Sequence, residues 1–410
     1  MKEYLKEKEG LTPLLAQEEA ARCLLCLDAP CSKACPAQTD PAKFIRSIRF
    51  LNYDGAIDVI RINNPLGGIC ARVCPTEKYC QKGCIRAGLD RPIDIGALQR
   101  FITDYEESSS YKALEPAKEK KDRVAIIGSG PAGLTAANFL ARNGYQVTIF
   151  EKHKKAGGYL TYGIPSYRLP NEVVEKEIKH TLDLGVKIVY EQEFGKDISL
   201  DSLFVEGFKA IILATGYDSP RMIPAFLNNP YVETAVDFLS RVKNCDGKVA
   251  LPDNILVIGG GDVAMDVATT AKVLGVKEVT CVVREDKEHL PASKKEFSEA
   301  LEENVSVITG FNVKEVHENK VTFVGSNENI TLNYQADKIV LAIGQKPSEL
   351  PLNIEFDKDN LPVKNYQTEI KGLFACGDIT DGDKTVVSAI KKGKEAAIEV
   401  MKFLEEKQNG

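Results

Sequence analysis

The sequence predicts an α-helical N-terminal domain followed by an α/β part made of two parallel-sheet units. Three observations carry this. Eight of the eleven cysteines fall between Cys23 and Cys84. Apolar residues of the first hundred positions recur at helical spacing. A pattern of strand, glycine turn, helix and strand then occurs twice beyond Arg123.

The helical spacing is clearest in Phe44-Ile45-x2-Ile48, Ala56-Ile57-x2-Ile60 and Ile95-x2-Leu98-x2-Phe101-Ile102. Asn63-Asn64-Pro65-Leu66-Gly67-Gly68 is a turn signal between them. Ser108-Ser109-Ser110 and the stretch 118–123 are polar, so residues 1–104 form one domain and 105–122 a linker.

The cysteines form two runs, Cys23-x2-Cys26-x4-Cys31-x3-Cys35-Pro36 and Cys70-x3-Cys74-Pro75-x4-Cys80-x3-Cys84. Disulfide scaffolds belong to small secreted domains. This chain has 410 residues, and its charged N-terminus lacks the apolar stretch of a signal peptide. A cytoplasmic protein is expected. Zinc favours paired Cys-x2–4-Cys knuckles with a long loop between the pairs; Cys23/Cys26 alone has the x2 spacing, and the others run on in close succession. Iron–sulfur clusters explain more, because closely spaced thiolates wrap a compact cluster. In two-cluster ferredoxins the Cys before Pro serves the other cluster, which hints at ligation crossed between the runs. Two [4Fe–4S] clusters are expected.

Net charge is −6, which argues against a nucleic-acid binder, and no segment has the length of a membrane span. From Arg22 to Arg100, however, twelve Lys/Arg face seven Asp/Glu. Cations there would stabilise thiolate-ligated clusters or simply form a solvated basic surface.

Val124-Ala125-Ile126-Ile127 is the continuous apolar run of a strand buried on both faces. Gly128-Ser129-Gly130-Pro131-Ala132-Gly133, a helix, and a second strand ending in Glu151 follow. This is a dinucleotide fingerprint in full context: glycines let backbone N–H groups approach a pyrophosphate, and Glu151 accepts from a ribose diol. The unit recurs with Gly259-Gly260-Gly261-Asp262-Val263-Ala264. Two such units imply a flavin and a nicotinamide. Where Glu151 closes the first unit, the second places Arg284, then Glu285 and Asp286. An arginine there suits a 2′-phosphate and the acids repel one; the balance favours NAD(H).

Leu213-Ala214-Thr215-Gly216, Lys338–Gly344 and Gly372-Leu373-Phe374-Ala375-Cys376-Gly377-Asp378 resemble the FAD/NAD(P) two-domain reductases of the glutathione-reductase type. The resemblance implies a discontinuous FAD-binding domain, 123–218 and 341–410, around an NAD-binding domain, 219–340. It implies flavin contacts from Thr215, Gly216, Gly377, Asp378 and a helix starting near Thr385, and NAD contacts that include Ala342 and Gly344. Arg22–Cys31, Asn64–Gly67, Cys74–Glu77, Ile93–Gln99 and Gly157-Gly158…Tyr162-Gly163-Ile164-Pro165-x2-Arg168-Leu169-Pro170 resemble the front part of dihydropyrimidine dehydrogenases, over essentially the whole chain. That likeness puts Gly158 and Arg168 beside the flavin. It implies one cluster on Cys23, Cys26, Cys31 and Cys84, another on Cys35, Cys74, Cys80 and Gln99, and Cys70 unligated. The small subunit of bacterial glutamate synthase, NADPH-dependent, shares the architecture; it tends to carry Glu at the place of Gln99, which favours the pyrimidine branch.

No catalytic side chain is expected, because the cofactors carry the chemistry: hydride from NADH to FAD, then single electrons to the clusters. The four histidines have no metal or triad spacing. Past Asp378 there is no room for a pyrimidine-binding barrel, so electrons are expected to leave for an FMN- and iron–sulfur-containing subunit that reduces pyrimidines, within a heterotetramer.

Overall fold

The computed structural model describes residues 4–326 and 330–409. The chain opens with α1 (Pro13–Ala21), α2 (Pro30–Ala34), α3 (Pro41–Arg49), α4 (Tyr53–Asn63), α5 (Gly67–Val73) and α6 (Ile95–Ser108). A parallel α/β part begins with β1 (Arg123–Ile127), α7 (Pro131–Arg142), β2 (Gln146–Glu151), α8 (Tyr159–Tyr162), α9 (Asn171–Leu182), β3 (Lys187–Tyr190), α10 (Leu200–Val205) and β4 (Ala210–Leu213). Next come β5 (Ser219–Pro220), β6 (Val232–Thr234), α11 (Ala235–Asn244), β7 (Asn254–Ile258), α12 (Asp262–Val273), β8 (Glu278–Val283) and α13 (Lys294–Glu302). They lead to β9 (Ser306–Thr309), β10 (Phe311–His317), β11 (Lys320–Gly325), β12 (Thr331–Gln335), β13 (Lys338–Leu341) and β14 (Gln345–Lys346). β15 (Leu373–Ala375) and α14 (Val386–Asn409) close the chain.

Two compact units result. The larger holds Glu9–Thr161, Asn171–Tyr217 and the chain from Pro347 onward. Its helices start on side-chain caps that satisfy open backbone N–H groups: Asp40 for α3, Asn52 for α4 and Asp94 for α6. The predicted apolar faces meet, with Phe44, Ile45, Ile48, Ile57, Ile60, Leu98 and Ile102 in one core. Its sheet is parallel in the order β15-β4-β1-β2-β3. The predicted linker gives way at its start, because α6 continues to Ser108. Glu106 is buried there and paired with Arg61, so this last turn is held by an ion pair that its polar sequence does not advertise.

The smaller unit holds Asp218–Lys346, Tyr162–Pro170 and the segment ending at Lys8. Its main sheet is parallel, β6-β13-β7-β8-β9, beside an antiparallel β10-β11-β12 and the short β14-β5 pair. The β14-β5 pairing carries this unit to Lys346, beyond the boundary expected at 340. Two further segments lie here rather than in the domains expected from sequence. Tyr4 is fully buried among Phe238, Leu239 and Val242, with its ring edge-on to Tyr167 at 6.1 Å. The 162–170 segment is held by Lys243, whose Nζ donates to Ile164 O at 2.6 Å and Leu169 O at 3.2 Å. Burial pushes that lysine down to about 7.

Candidate functional site: cysteine groups and two nucleotide cradles

Cys23, Cys26, Cys31 and Cys84 line one concave site, together with Ala29 and Ile45. The last of these comes from the second run, so residues of both runs meet at one site. Cys31 is pushed up to about 11 by burial and by the neighbouring Cys84 and Cys23. The second group gathers Cys35, Cys70, Cys74 and Cys80. Burial raises Cys80 to about 12, and Cys35 adds to the effect. Cys74 is raised well beyond the usual thiol range by burial and then by Cys70, Cys80 and Cys35. All eleven cysteines are free. Buried thiols that raise one another's pKa become thiolates only when a cation joins them, so the donor sets fit cationic iron. Among the described residues no three ligand-type side chains close on a single metal ion. The thiolates of a four-iron cube each bind a different iron and stand farther apart than ligands of one ion.

Gln99 is buried on α6, and its Nε2 donates to Gly67 O at 2.7 Å. This leaves the amide oxygen as the atom available to iron. Gly67 begins α5, the helix that carries Cys70. Cys70 itself is fully buried and hydrogen-bonded to the Asn64 side chain. Thr39 links the two sides: it accepts from Asn64 Nδ2 at 3.3 Å and directs its N–H to Cys35 Sγ at 3.5 Å.

The flavin fingerprint residues stand together at the sheet edge. Gly128 has φ +99°, and α7 starts at Gly130 without a side-chain cap, leaving its first N–H groups open for an anion. Glu151 is buried and braces the turn: it accepts from Ser129 N at 3.0 Å, from Ser129 Oγ, and from His153 N at 2.9 Å. Gly158 passes over Gly130, where its Cβ would lie 3.2 Å from the Gly130 Cα. Thr215 and Gly216 follow β4, and Gly216 has φ +67°. Asp378 is the clearest sign of a missing group, because its Oδ1 is buried without a hydrogen-bond partner. Burial holds that carboxyl above the usual range, against the pull of Lys384 and Lys392. A ligand hydroxyl would satisfy it, so these residues fit a flavin dinucleotide. Thr385 stands just before α14 and accepts from Ser388 N at 3.3 Å.

The second cradle lies wholly in the smaller unit. α12 starts at Gly261, again without a side-chain cap. Asp262 accepts from Ser293 N at 2.7 Å, and Val263 and Ala264 follow in the first turn. Ala342 packs beneath Gly259, whose added Cβ would lie 2.2 Å from Ala342 O. Gly344 accepts from Arg221 N at 3.0 Å. The register corrects one expectation. Ile127 pairs with Phe150 and Ile258 with Val282, so Val283, not Arg284, stands where Glu151 does. The stretch from glycine turn to second strand is one residue longer here. Arg284 lies beyond it and turns back on Glu285 at 2.7 Å. Asp286 is occupied by the N–H groups of Glu288 and His289 and by His289 Nδ1.

Arg168, expected at the flavin, has another task in the smaller unit. Its guanidinium bonds Asp266 at 2.6 Å and Glu296 at 2.8 Å, all three being nearly inaccessible. Two features of the larger unit escape sequence reasoning altogether. Arg61 is buried between Glu106 and Glu177, both at 2.6 Å. Beside Cys80, Tyr79 Oη donates to Asp383 Oδ2 at 2.9 Å and lies 3.3 Å from Thr385 Oγ1, while Lys78 pairs with the same carboxylate at 3.0 Å.

Comparison with known proteins decides the family. Residues 1–111 match the family model of dihydropyrimidine dehydrogenase domain II, 4Fe-4S cluster, and residues 122–393 that of pyridine nucleotide-disulphide oxidoreductase. The chain is 50% identical to the NAD-dependent dihydropyrimidine dehydrogenase subunit PreT of Salmonella typhimurium, over 98% of both chains. It is 51% identical to the PreT subunit of Escherichia coli O157:H7, again over 98% of each. The chain belongs to the PreT family. Like its PreT relatives it is an oxidoreductase, and its cofactors are FAD, a pyridine nucleotide and [4Fe–4S] clusters. The small chain of NADPH glutamate synthase from Azospirillum brasilense is 31% identical over 93% of this chain and 88% of its own. Lactococcus lactis thioredoxin reductase aligns at TM-score 0.56 and 26% identity, over 70% of this chain and all of that one, which places the α/β part in the expected two-nucleotide fold. Among the described residues no helix is long and apolar enough to cross a membrane.

Proposed function

We propose that this chain is the electron-input subunit of an NAD-dependent dihydropyrimidine dehydrogenase. It takes reducing equivalents from NADH at FAD and passes single electrons through two [4Fe–4S] clusters to a PreA-like FMN and iron–sulfur subunit. That partner reduces uracil or thymine to the 5,6-dihydro form, or runs the reverse, in a cytoplasmic heterotetramer. One observation carries the electron route. The second cysteine run and the flavin fingerprint share one compact unit, and Tyr79 next to Cys80 bonds the segment that opens α14.

Cys23, Cys26, Cys31 and Cys84 hold one cluster in this reading; Cys35, Cys74, Cys80 and Gln99 hold the other. The fingerprint glycines, Glu151, Gly158, Thr215, Gly216, Asp378 and Thr385 hold FAD, which supplies the step from hydride to single electrons. The α12 turn with Ala342 and Gly344 holds NAD(H). Val283 and the Arg284–Glu285 pair support NAD(H) over NADP(H), since Arg284 is already faced by a carboxylate.

Co-expression with the FMN subunit and an anaerobic assay of uracil-dependent NADH oxidation test the function. Activity that appears only with glutamine and 2-oxoglutarate, on NADPH, would assign the chain to the glutamate synthase branch instead. The ligand sets have their own test. Cys84→Ser should lower iron from about eight to about four per chain, whereas Cys70→Ser should leave about eight. Equal losses from both variants would put Cys70 among the ligands.

A further inference from the structure

The two cysteine groups face different surroundings. The second is the more enclosed: Cys70 and Cys80 are buried, Cys35 and Cys74 partly so, and the turn before Cys80 is tied to Asp383. The first opens outward. Leu24 and Ile85 line the same concave site as its four cysteines, and they are 43% and 53% exposed. Leu27, next to Cys26, is fully exposed. Single exposed leucines are ordinary on protein surfaces. Three large aliphatic side chains bordering one redox site are not, because Leu27 forgoes about 1.5–3 kcal/mol that burial would contribute, and Leu24 and Ile85 forgo roughly half of that each. The surrounding charge is also distinctive. The stretches 22–35 and 82–91 carry five Lys/Arg against two Asp/Glu, in a chain whose net charge is −6; Lys33 pairs with Asp28 at 2.5 Å and Arg86 with Asp90 at 2.9 Å, so the excess over these pairs is what remains positive.

We infer that Leu24, Leu27 and Ile85, collared by Lys33, Lys82 and Arg86, form the surface on which the electron-accepting subunit docks. The occupant is a protein that presents an apolar patch ringed by carboxylates over a one-electron centre of its own. This rests on the reading above that the chain hands electrons to a second subunit. Tunnelling weakens steeply with distance, so an acceptor must press against a cluster. Of the two groups, the first has its ligand loops in solvent. An apolar centre with a charged rim is the usual build of a specific interface. The basic collar, opposite in sign to the molecule as a whole, selects an acidic partner and speeds its approach.

The test uses the full-length protein purified anaerobically with its cofactors, and the co-expressed FMN subunit as probe. Leu27→Glu is the decisive variant, because a side chain wholly in solvent has no packing to lose. It is expected to weaken the complex about 30-fold, as for a central interface residue. Iron and FAD content and the rate of flavin bleaching by NADH should stay as in the wild type. Ile85→Glu should weaken the complex to a similar degree. Val205→Glu, an equally exposed site on α10, should bind as the wild type does. The affinity of the wild type should also fall with added salt. Unchanged affinity of Leu27→Glu, or an equal loss in Val205→Glu, overturns the surface. So does a dimer of the isolated wild type that Leu27→Glu dissolves, since a second copy would then be the occupant. If the wild type itself fails to bind the FMN subunit, the proposed function fails rather than the choice of surface.

Discussion

Replacing Arg61 with methionine should destabilise the larger unit by about 3–5 kcal/mol, the loss typical when one partner of a buried ion pair is removed. Arg61 is 1% exposed. Its Nε and Nη2 hold Glu106 at 2.8 and 2.6 Å, and Nη1 and Nη2 hold Glu177 at 3.0 and 2.6 Å. Burial alone would weaken its charge, but the two carboxylates raise its pKa above even the usual arginine value. Methionine fills a similar volume and leaves two carboxylates without a cation in a site closed to water. Thermal unfolding of the holoprotein measures the loss. Adding Glu106→Gln and Glu177→Gln should restore part of it, since neutral amides do not need the guanidinium. The damage should also reach iron. Nη1 donates to Pro65 O at 2.8 Å, and Glu177 accepts from Gly68 N at 3.2 Å, so the triad fixes the start of α5 and with it Cys70 and Cys74. Iron of the second group should therefore be lost first on mild heating. A variant with wild-type stability and eight irons would show that the carboxylates find other partners.

That triad also marks where the sequence stops being legible. Local chemistry is readable: glycines at a strand end, a proline after a cysteine, or isoleucines three apart each act within a turn or two of chain. The fold class, both nucleotide turns and the hint of ligation crossed between the runs follow from such signals, whereas the place of Cys84 beside the first run is implied only by the family resemblance. Arg61 meets Glu106 and Glu177 across 45 and 116 residues, and no local pattern announces that meeting. Arg168 is similar, since its carboxylates come from 98 or more residues away. The misplaced Arg284 has a different cause. Arg284 is the first residue past the apolar run of β8, but Glu151 is still the last residue of β2, and strand pairing, which sets the true register, brings Val283 to the position of Glu151. Tyr4 joins the smaller unit because a buried aromatic ring outweighs the charged residues around it, which on their own read as a solvated tail.

Gly133→Ala should nearly abolish flavin binding while sparing iron, an outcome that separates the two halves of the larger unit. The added methyl carbon would lie 2.0 Å from Gly128 O, far inside any contact distance, and the opposing atom is backbone in a turn with φ +99°. Neither side can yield by rotating a side chain. Either α7 moves away from β1 or the turn opens, and both displace the N–H groups at the start of α7. α7 also cannot retreat freely, because Gly393 of α14 packs on it so closely that a Cβ there would stand 2.3 Å from Ala132 O. Overpacking of this kind costs about 1–3 kcal/mol when the surroundings can adjust, and here they are backbone on both sides. A loss of about 3 kcal/mol at the phosphate turn corresponds to roughly a hundredfold weaker flavin binding. Visible spectra and cofactor assays check it: the variant should purify brown with iron, poor in FAD, and unable to reduce its clusters with NADH. Dithionite should still reduce them, because the cysteine groups lie on α2, α5 and their loops, away from the altered turn. Iron lost together with flavin would mean that the helical part folds only when the nucleotide turn is intact. Retained FAD would mean that the turn tolerates a displacement the geometry forbids.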